Sequence, residues 1–234
     1  KAGQSRLELA QANINILKDI TPQIVRVAPK AIYILVSNPV DVLTYVFHKI
    51  SGLPENQIMG SGTILDTARL RYGLSEHFKV AQGNIHAYVF GEHGDTSFIP
   101  WTGAYISGLS TDEYYEEMKA HGKDVKPLDK EAMLEYVQKS GGKVIAKKGA
   151  TFYAVSATVC QLVGLILAAS DSLATVSSML HGEYGIEDVC LSTLTILGPN
   201  GIQGKLPMRM KKEEIEKLKA SADTLKSVIA QIEW

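Results

Sequence analysis

Residues 31–63 constrain the fold most. "AIYILVSN" is a continuous apolar run of the kind a fully buried strand in a parallel sheet requires. "PVDVLTYVFHKISG" follows as a helix, with Pro39 at its start and Gly52 as its stop. "QIMGSGT" then reads as a short strand running into a loop. Strand, helix and strand in this order predict a parallel β–α–β unit, part of a doubly wound α/β layer. Ligands of such layers sit at the carboxyl ends of the strands.

The flanking segments extend this rhythm and then change it. Upstream, "SRLELAQANINILKDI" has Leu7, Ala10, Ile14, Leu17 and Ile20 at helical spacing, and Pro22 and Pro29 bound a short further segment. Downstream, "ILDTARLRYGLSEHF" reads as a helix and "GNIHAYVFGEHG" as a strand ending in a glycine-bounded turn. Residues 110–148 are charged and helical, with no evident chemistry. "ATVSSML" and "VCLSTLTIL", joined through "HGEYG", predict an antiparallel hairpin. The last helix, from Lys211, sets Ile215, Leu218, Ala222, Leu225, Ile229 and Ile232 on one face. There is no internal repeat, low-complexity tract or long linker.

With 234 residues, 45% of them hydrophobic, the chain can bury the core of one or two domains. A formal net charge of −1 gives no electrostatic case for nucleic acid or an anionic membrane. Cys160 and Cys190 match no metal or redox spacing and read as packing residues in a reducing compartment. The run "FYAVSATVCQLVGLILAA", residues 152–169, is about as long as a membrane span. Ser156, Thr158 and Gln161 interrupt it, so a buried helix of a soluble protein is expected. The chain opens on "KAGQSRLEL" without an initiator Met, and further sequence upstream is expected.

Few residues offer chemistry. On a helix Asp66 and Arg69 lie about 60° apart and share a face, whereas Arg71 points about 200° away from Arg69. Taken alone, the pair also fits a surface ion pair. His93 in "GEHGDTS" admits three readings: an acid/base catalyst, a metal ligand, or part of a polar turn. A metal would need His86, Glu92, His93 and Asp95 to converge. An odd separation puts His86 and His93 on opposite strand faces, and no HExxH spacing exists, so no metal is expected. Asn38 suits a turn, or a ligand contact at a strand end. Arg6 opens a helix against its dipole, which is odd for stability alone.

In combination, "SR" at Ser5–Arg6, "VSNPVDVLTYV", "GSGTILDTARLRY", "GEHGDTS" and "KKGAT" closely resemble the L-lactate dehydrogenases, particularly the bacterial ones. The resemblance runs from Lys1 to Trp234. It implies the end of a Rossmann-type doubly wound parallel sheet over residues 1–60, and an α+β substrate-binding and catalytic domain over 61–234. It also implies NADH-dependent reduction of pyruvate to L-lactate. His93 would be the general acid, Asp66 its orienting carboxylate, and Arg6 a polarising group on a mobile loop. Arg69 would grip the substrate carboxylate, a task for a planar fork rather than a lysine point charge. Asn38 would touch substrate and coenzyme, Thr151 the substrate methyl, and Val36 and Ser61 the NAD nicotinamide. Arg71 and His86 would bind fructose 1,6-bisphosphate at a subunit interface of a cytoplasmic homotetramer. The same resemblance holds a rival, malate dehydrogenase. The family separates the two by a Gln or Arg that would fall immediately before Lys1. No glycine-rich dinucleotide fingerprint is present, which leaves a non-catalytic fragment as the reading from another class.

Overall fold

The computed structural model describes residues 6–168 and 170–234, with side chains from residue 10 on. Helix α1 (Arg6–Val27) leads through residues 28–32 into strand β1 (Tyr33–Leu35). Helix α2 (Val40–Ser51) then crosses to β2 (Ile58–Gly60), which pairs parallel with β1, Leu35 opposite Gly60. The predicted β–α–β unit is therefore present. Gly52 ends α2 in the left-handed region, as its stop position requires. Every residue from Val40 to Phe47 is buried, because α2 lies between α1, the sheet and the C-terminal helix.

Helix α3 (Ile64–Phe78) follows β2 directly. A small sheet of β3 (Ile85–His86), β4 (Tyr105–Ile106) and β5 (Leu109–Ser110) comes next, then helices α4 (Thr111–Ala120), α5 (Lys130–Lys148) and α6 (Tyr153–Leu167). Strands β6 (Ser172–His181) and β7 (Glu187–Gly198) form the expected hairpin, and β8 (Gly201–Lys205) extends it. The main sheet runs β1-β2-β6-β7-β8, so a parallel pair continues into an antiparallel meander through the single bridge Gly60–Ser177. Helix α7 (Lys212–Ile229) closes the chain and buries Leu218, Ala222 and Leu225. Each large apolar side chain so buried contributes roughly 1.5–3 kcal/mol.

Several elements depart from the sequence expectation. Helix α1 runs through Pro22; the proline is exposed, so the helical bond it forfeits faces water. Strand β1 is three residues long and half-buried, because it is the outer strand of the described sheet. The long strand expected over residues 83–94 is only two residues of ladder. Side chains of α3 satisfy the following backbone instead: Thr67 Oγ1 accepts from Val89 N at 3.0 Å, Thr63 Oγ1 donates to Val89 O at 2.5 Å, and Arg71 Nε donates to Ala87 O at 3.1 Å. Residues 110–148 hold two helices, with residues 121–129 between them.

The expectation of a buried helix over residues 152–169 is also corrected. Only Thr158, Leu162 and Ile166, one residue per turn, face the sheet, packing near Met59, Val176 and Leu197. Phe152, Tyr153, Val163 and Leu167 are exposed, as is Cys160, which is therefore no packing residue; Cys190 is buried. No helix among the described residues is long and apolar enough to cross a membrane.

Candidate active site

A cavity of about 220 Å³ lies at the carboxyl ends of β1 and β2. Val36 and Asn38 reach it from the end of β1, and Ser61 and Gly62 from the end of β2. Ser61 N donates to Leu35 O at 2.8 Å, which holds the two strand ends together. Gly62 has φ +50°, and a Cβ there would fall 2.4 Å from Ser192 Oγ and 2.5 Å from Ser177 N. Both the conformation and the close approach require glycine.

The first turns of α3 supply Asp66 and Arg69 to the cavity. Asp66 Oδ2 lies 2.6 Å from His93 Nδ1, and Asp66 Oδ1 accepts from an Arg69 guanidinium nitrogen at 2.9 Å. The side chains of this pair are only 8% and 16% exposed, so it is not a surface ion pair. With Nδ1 engaged by the carboxylate, the other ring nitrogen of His93 is free for a ligand. Apart from Asp66, the guanidinium of Arg69 has no hydrogen-bond partner among the described residues. Thr151 completes the same wall.

The loop carrying His93 is fixed from four sides. Gly91 and Ser192 exchange backbone hydrogen bonds at 3.0 and 3.1 Å. Glu92 N donates to Ser221 Oγ of α7 at 2.8 Å, and His93 N donates to Asp41 Oδ2 of α2 at 2.7 Å. From α5, Gln138 Nε2 donates to Asp95 O at 3.1 Å and Ser97 O at 2.9 Å.

Electrostatics sets the proton affinity of His93. Burial works to lower it, but the Asp66 hydrogen bond and charge, helped by Asp41, outweigh burial and the opposing Arg69, and the net shift is upward. Asp41 is itself pushed up to about 6, chiefly by burial, against the Ser177 hydroxyl and the His93 amide, which lower it. The imidazole is thus suited to holding and delivering a proton near neutrality.

Of the residues singled out in the sequence, Val36, Asn38, Ser61, Asp66, Arg69, His93 and Thr151 line this one cavity. The side chain of Arg6 lies outside the described residues. Arg71 and His86 are elsewhere: Arg71 lies over the Tyr88 ring at 5.0 Å and bonds Ala87 O, next to exposed His86. Asp41 and Gln138 were not anticipated. An acid inside the apolar run "VDVLTYVF" was a usable signal for Asp41, whereas nothing marks Gln138 within a charged helix. Among the described residues no group of three or more His, Cys, Asp and Glu could hold a metal ion.

A strand-end cavity holding a carboxylate-backed histidine and an arginine suits acid/base work on a small anionic substrate, and the chain belongs to the lactate/malate dehydrogenase family. Residues 1–60 match the family's NAD binding domain and residues 63–233 its alpha/beta C-terminal domain. The L-lactate dehydrogenase of Acetivibrio thermocellus is 43% identical over 233 residues, 100% of this chain and 73% of that protein. L-lactate dehydrogenase 1 of Clostridium acetobutylicum is 44% identical over 232 residues, 99% of this chain and 73% of that protein. A solved L-lactate dehydrogenase from Clostridium thermocellum superposes with a TM-score of 0.89 at 36% identity, covering 100% of this chain and 76% of that one. A lactate dehydrogenase from a deep-sea metagenome library gives 0.92 at 30%, covering 98% and 72%. NAD is the cofactor. The site fits its nicotinamide end, with Val36 as an apolar wall, Asn38 and Ser61 as polar groups, and Gly62 allowing close backbone approach.

Proposed function

We propose that this chain catalyses the interconversion of pyruvate and L-lactate, with His93 as the acid/base residue. When bound, NADH supplies the hydride. The observation that carries the reading is the His93–Asp66–Arg69 chain, 2.6 and 2.9 Å long, within one cavity at the strand ends. Asp66 keeps the Nδ1 proton in place, so that the opposite nitrogen of His93 delivers a proton to the substrate carbonyl oxygen. The same carboxylate stabilises the imidazolium before transfer. Arg69 binds the substrate carboxylate through a planar pair of N–H groups. Arg6 polarises the carbonyl, Asn38 hydrogen-bonds substrate and coenzyme, and Val36 and Ser61 flank the nicotinamide. Thr151 leaves space for a methyl group. Residues 1–60 form the coenzyme-binding part and 61–234 the substrate part. The enzyme works in the cytoplasm as a homotetramer, with fructose 1,6-bisphosphate as activator at Arg71 and His86.

The test is His93→Asn. Turnover of pyruvate with NADH falls by about 10²–10⁴, the usual worth of a positioned proton donor, while NADH fluorescence titration is nearly unchanged. A variant with near-normal turnover overturns the assignment. Wild-type preference for oxaloacetate over pyruvate replaces the substrate by that of the malate branch.

A further inference from the structure

A second cleft, of about 330 Å³, shares no residue with the active-site cavity. It lies between the end of α2, residues 55–58, the end of β6 and the edge strand β8. Its polar groups are unequally satisfied. Glu55 is engaged: Oε2 lies 2.7 Å from His181 Nε2 and Oε1 lies 3.1 Å from His48 Nε2. Glu183 is engaged through Oε2, which accepts from His181 N at 2.6 Å. Lys49 and Asp188 at the mouth pair with each other at 2.7 Å.

Two donors remain in surplus. Lys205 Nζ donates to Ser178 Oγ and has no other hydrogen-bond partner among the described residues, and no carboxylate lies within ion-pair distance of it. An ammonium has three protons, so two are unused. Burial pulls this group below the ordinary lysine range, against the more distant charges of Glu183 and Glu55. His48 is the second: Nε2 lies near Glu55 without an aligned hydrogen bond, and Nδ1, shielded from water, has no partner. Unpaired buried donors are costly and call for an acceptor.

We propose that this cleft is a binding site for a small oxyanion, of the phosphate or carboxylate class, held by Lys205 Nζ and His48. The walls are otherwise apolar or already paired, with Ile58, Met179 and Ile202 giving room for a short carbon chain on the anion. The oxyanion supplies the acceptor that Lys205 Nζ and His48 Nδ1 lack. His48 lies between Glu55 and the anion, with Nε2 toward the carboxylate and Nδ1 left for the ligand. The groups facing His48 are Glu55, His181, Glu183, Cys190 and Lys205, with Lys49, Glu187 and Asp188 at the mouth. This site does not depend on the proposed dehydrogenase reaction.

Calorimetric titration of the whole protein with inorganic phosphate, and separately with acetate, tests the proposal in wild type and in Lys205→Met. Any anion bound at Arg69 or Arg71 is present in both proteins, so the difference reports this cleft alone. One binding event is lost, or weakened about ten-fold, in Lys205→Met. The tighter of the two probes identifies the class. Crystals soaked in selenate show an anomalous peak within hydrogen-bond distance of Lys205 Nζ that the variant lacks. Identical isotherms, or a peak that survives Lys205→Met, overturns the proposal. Methionine keeps the length of the stem and removes a buried charge; if that variant does not fold, His48→Gln carries the same comparison.

Discussion

Asp41 brings a second carboxylate to His93, 2.7 Å from its backbone amide and only 2% exposed. Its proton is bound more tightly in the folded chain, where its pKa is about 6, than in an unfolded one near 3.8. The stabilisation this provides is complete below pH 3.8 and lost as the pH rises through about 6, roughly 3 kcal/mol in all. Urea melts should therefore show wild type losing that amount relative to Asp41→Asn between pH 4 and pH 7; parallel curves would refute it. The Asp41 charge also raises His93, so in Asp41→Asn the high-pH fall of pyruvate reduction moves to lower pH. An unmoved profile would separate Asp41 from the acid/base group. At this scale the sequence was informative where a motif carries chemistry, as for His93, Asp66 and Arg69. At Asp41 its one signal, an acid within an apolar run, was ambiguous, because a carboxylate near a helix start reads equally well as a favourable charge at the dipole.

Helix α3 substitutes for a neighbouring strand. Thr67 sits in its first turn: the hydroxyl accepts from Val89 N at 3.0 Å and lies 3.0 Å from Thr175 Oγ1. Thr67→Val conserves shape but leaves a buried amide without a partner. The expected loss is about 1–3 kcal/mol in a denaturant melt, and a change below 0.5 kcal/mol would show that water takes over the amide. This arrangement explains why the strand leading to His93 was read too long. The alternation of "IHAYVF" records which side chains are buried, not what satisfies the backbone. Pattern placed α2, α7 and the β6–β7 hairpin well, since each has a single buried face or a turn that fixes the register. It failed at α6, whose uniformly apolar sequence does not say which side meets the sheet. Helix α3 also supports an element-scale expectation for Arg71, at one end of the proposed activator site. Added fructose 1,6-bisphosphate should lower the pyruvate KM. Activation that persists in Arg71→Gln with His86→Ala would place the activator elsewhere.

For the molecule as a whole, the active site draws on distant parts of the chain, from Val36 to Val159, and the sheet that aligns them changes from parallel to antiparallel at one bridge. One of the apolar surfaces left open among the described residues lies on α6, where Tyr153 is 73% and Leu167 78% exposed. A face of this kind suits contact between copies in the proposed tetramer. Light scattering behind size exclusion should give four chains, and Leu167→Glu should shift the mass downward; a wild-type monomer would refute the assembly. The placement of the two cysteines adds a clock to that measurement. Cys190 is buried, and its thiol is pushed further from ionisation by that burial, so a thiol reagent leaves it untouched in the folded protein. Cys160 lies on the open side of α6. Its labelling rate on dilution therefore records how long that face stays covered, with one fast-reacting sulfur for every subunit that has come loose.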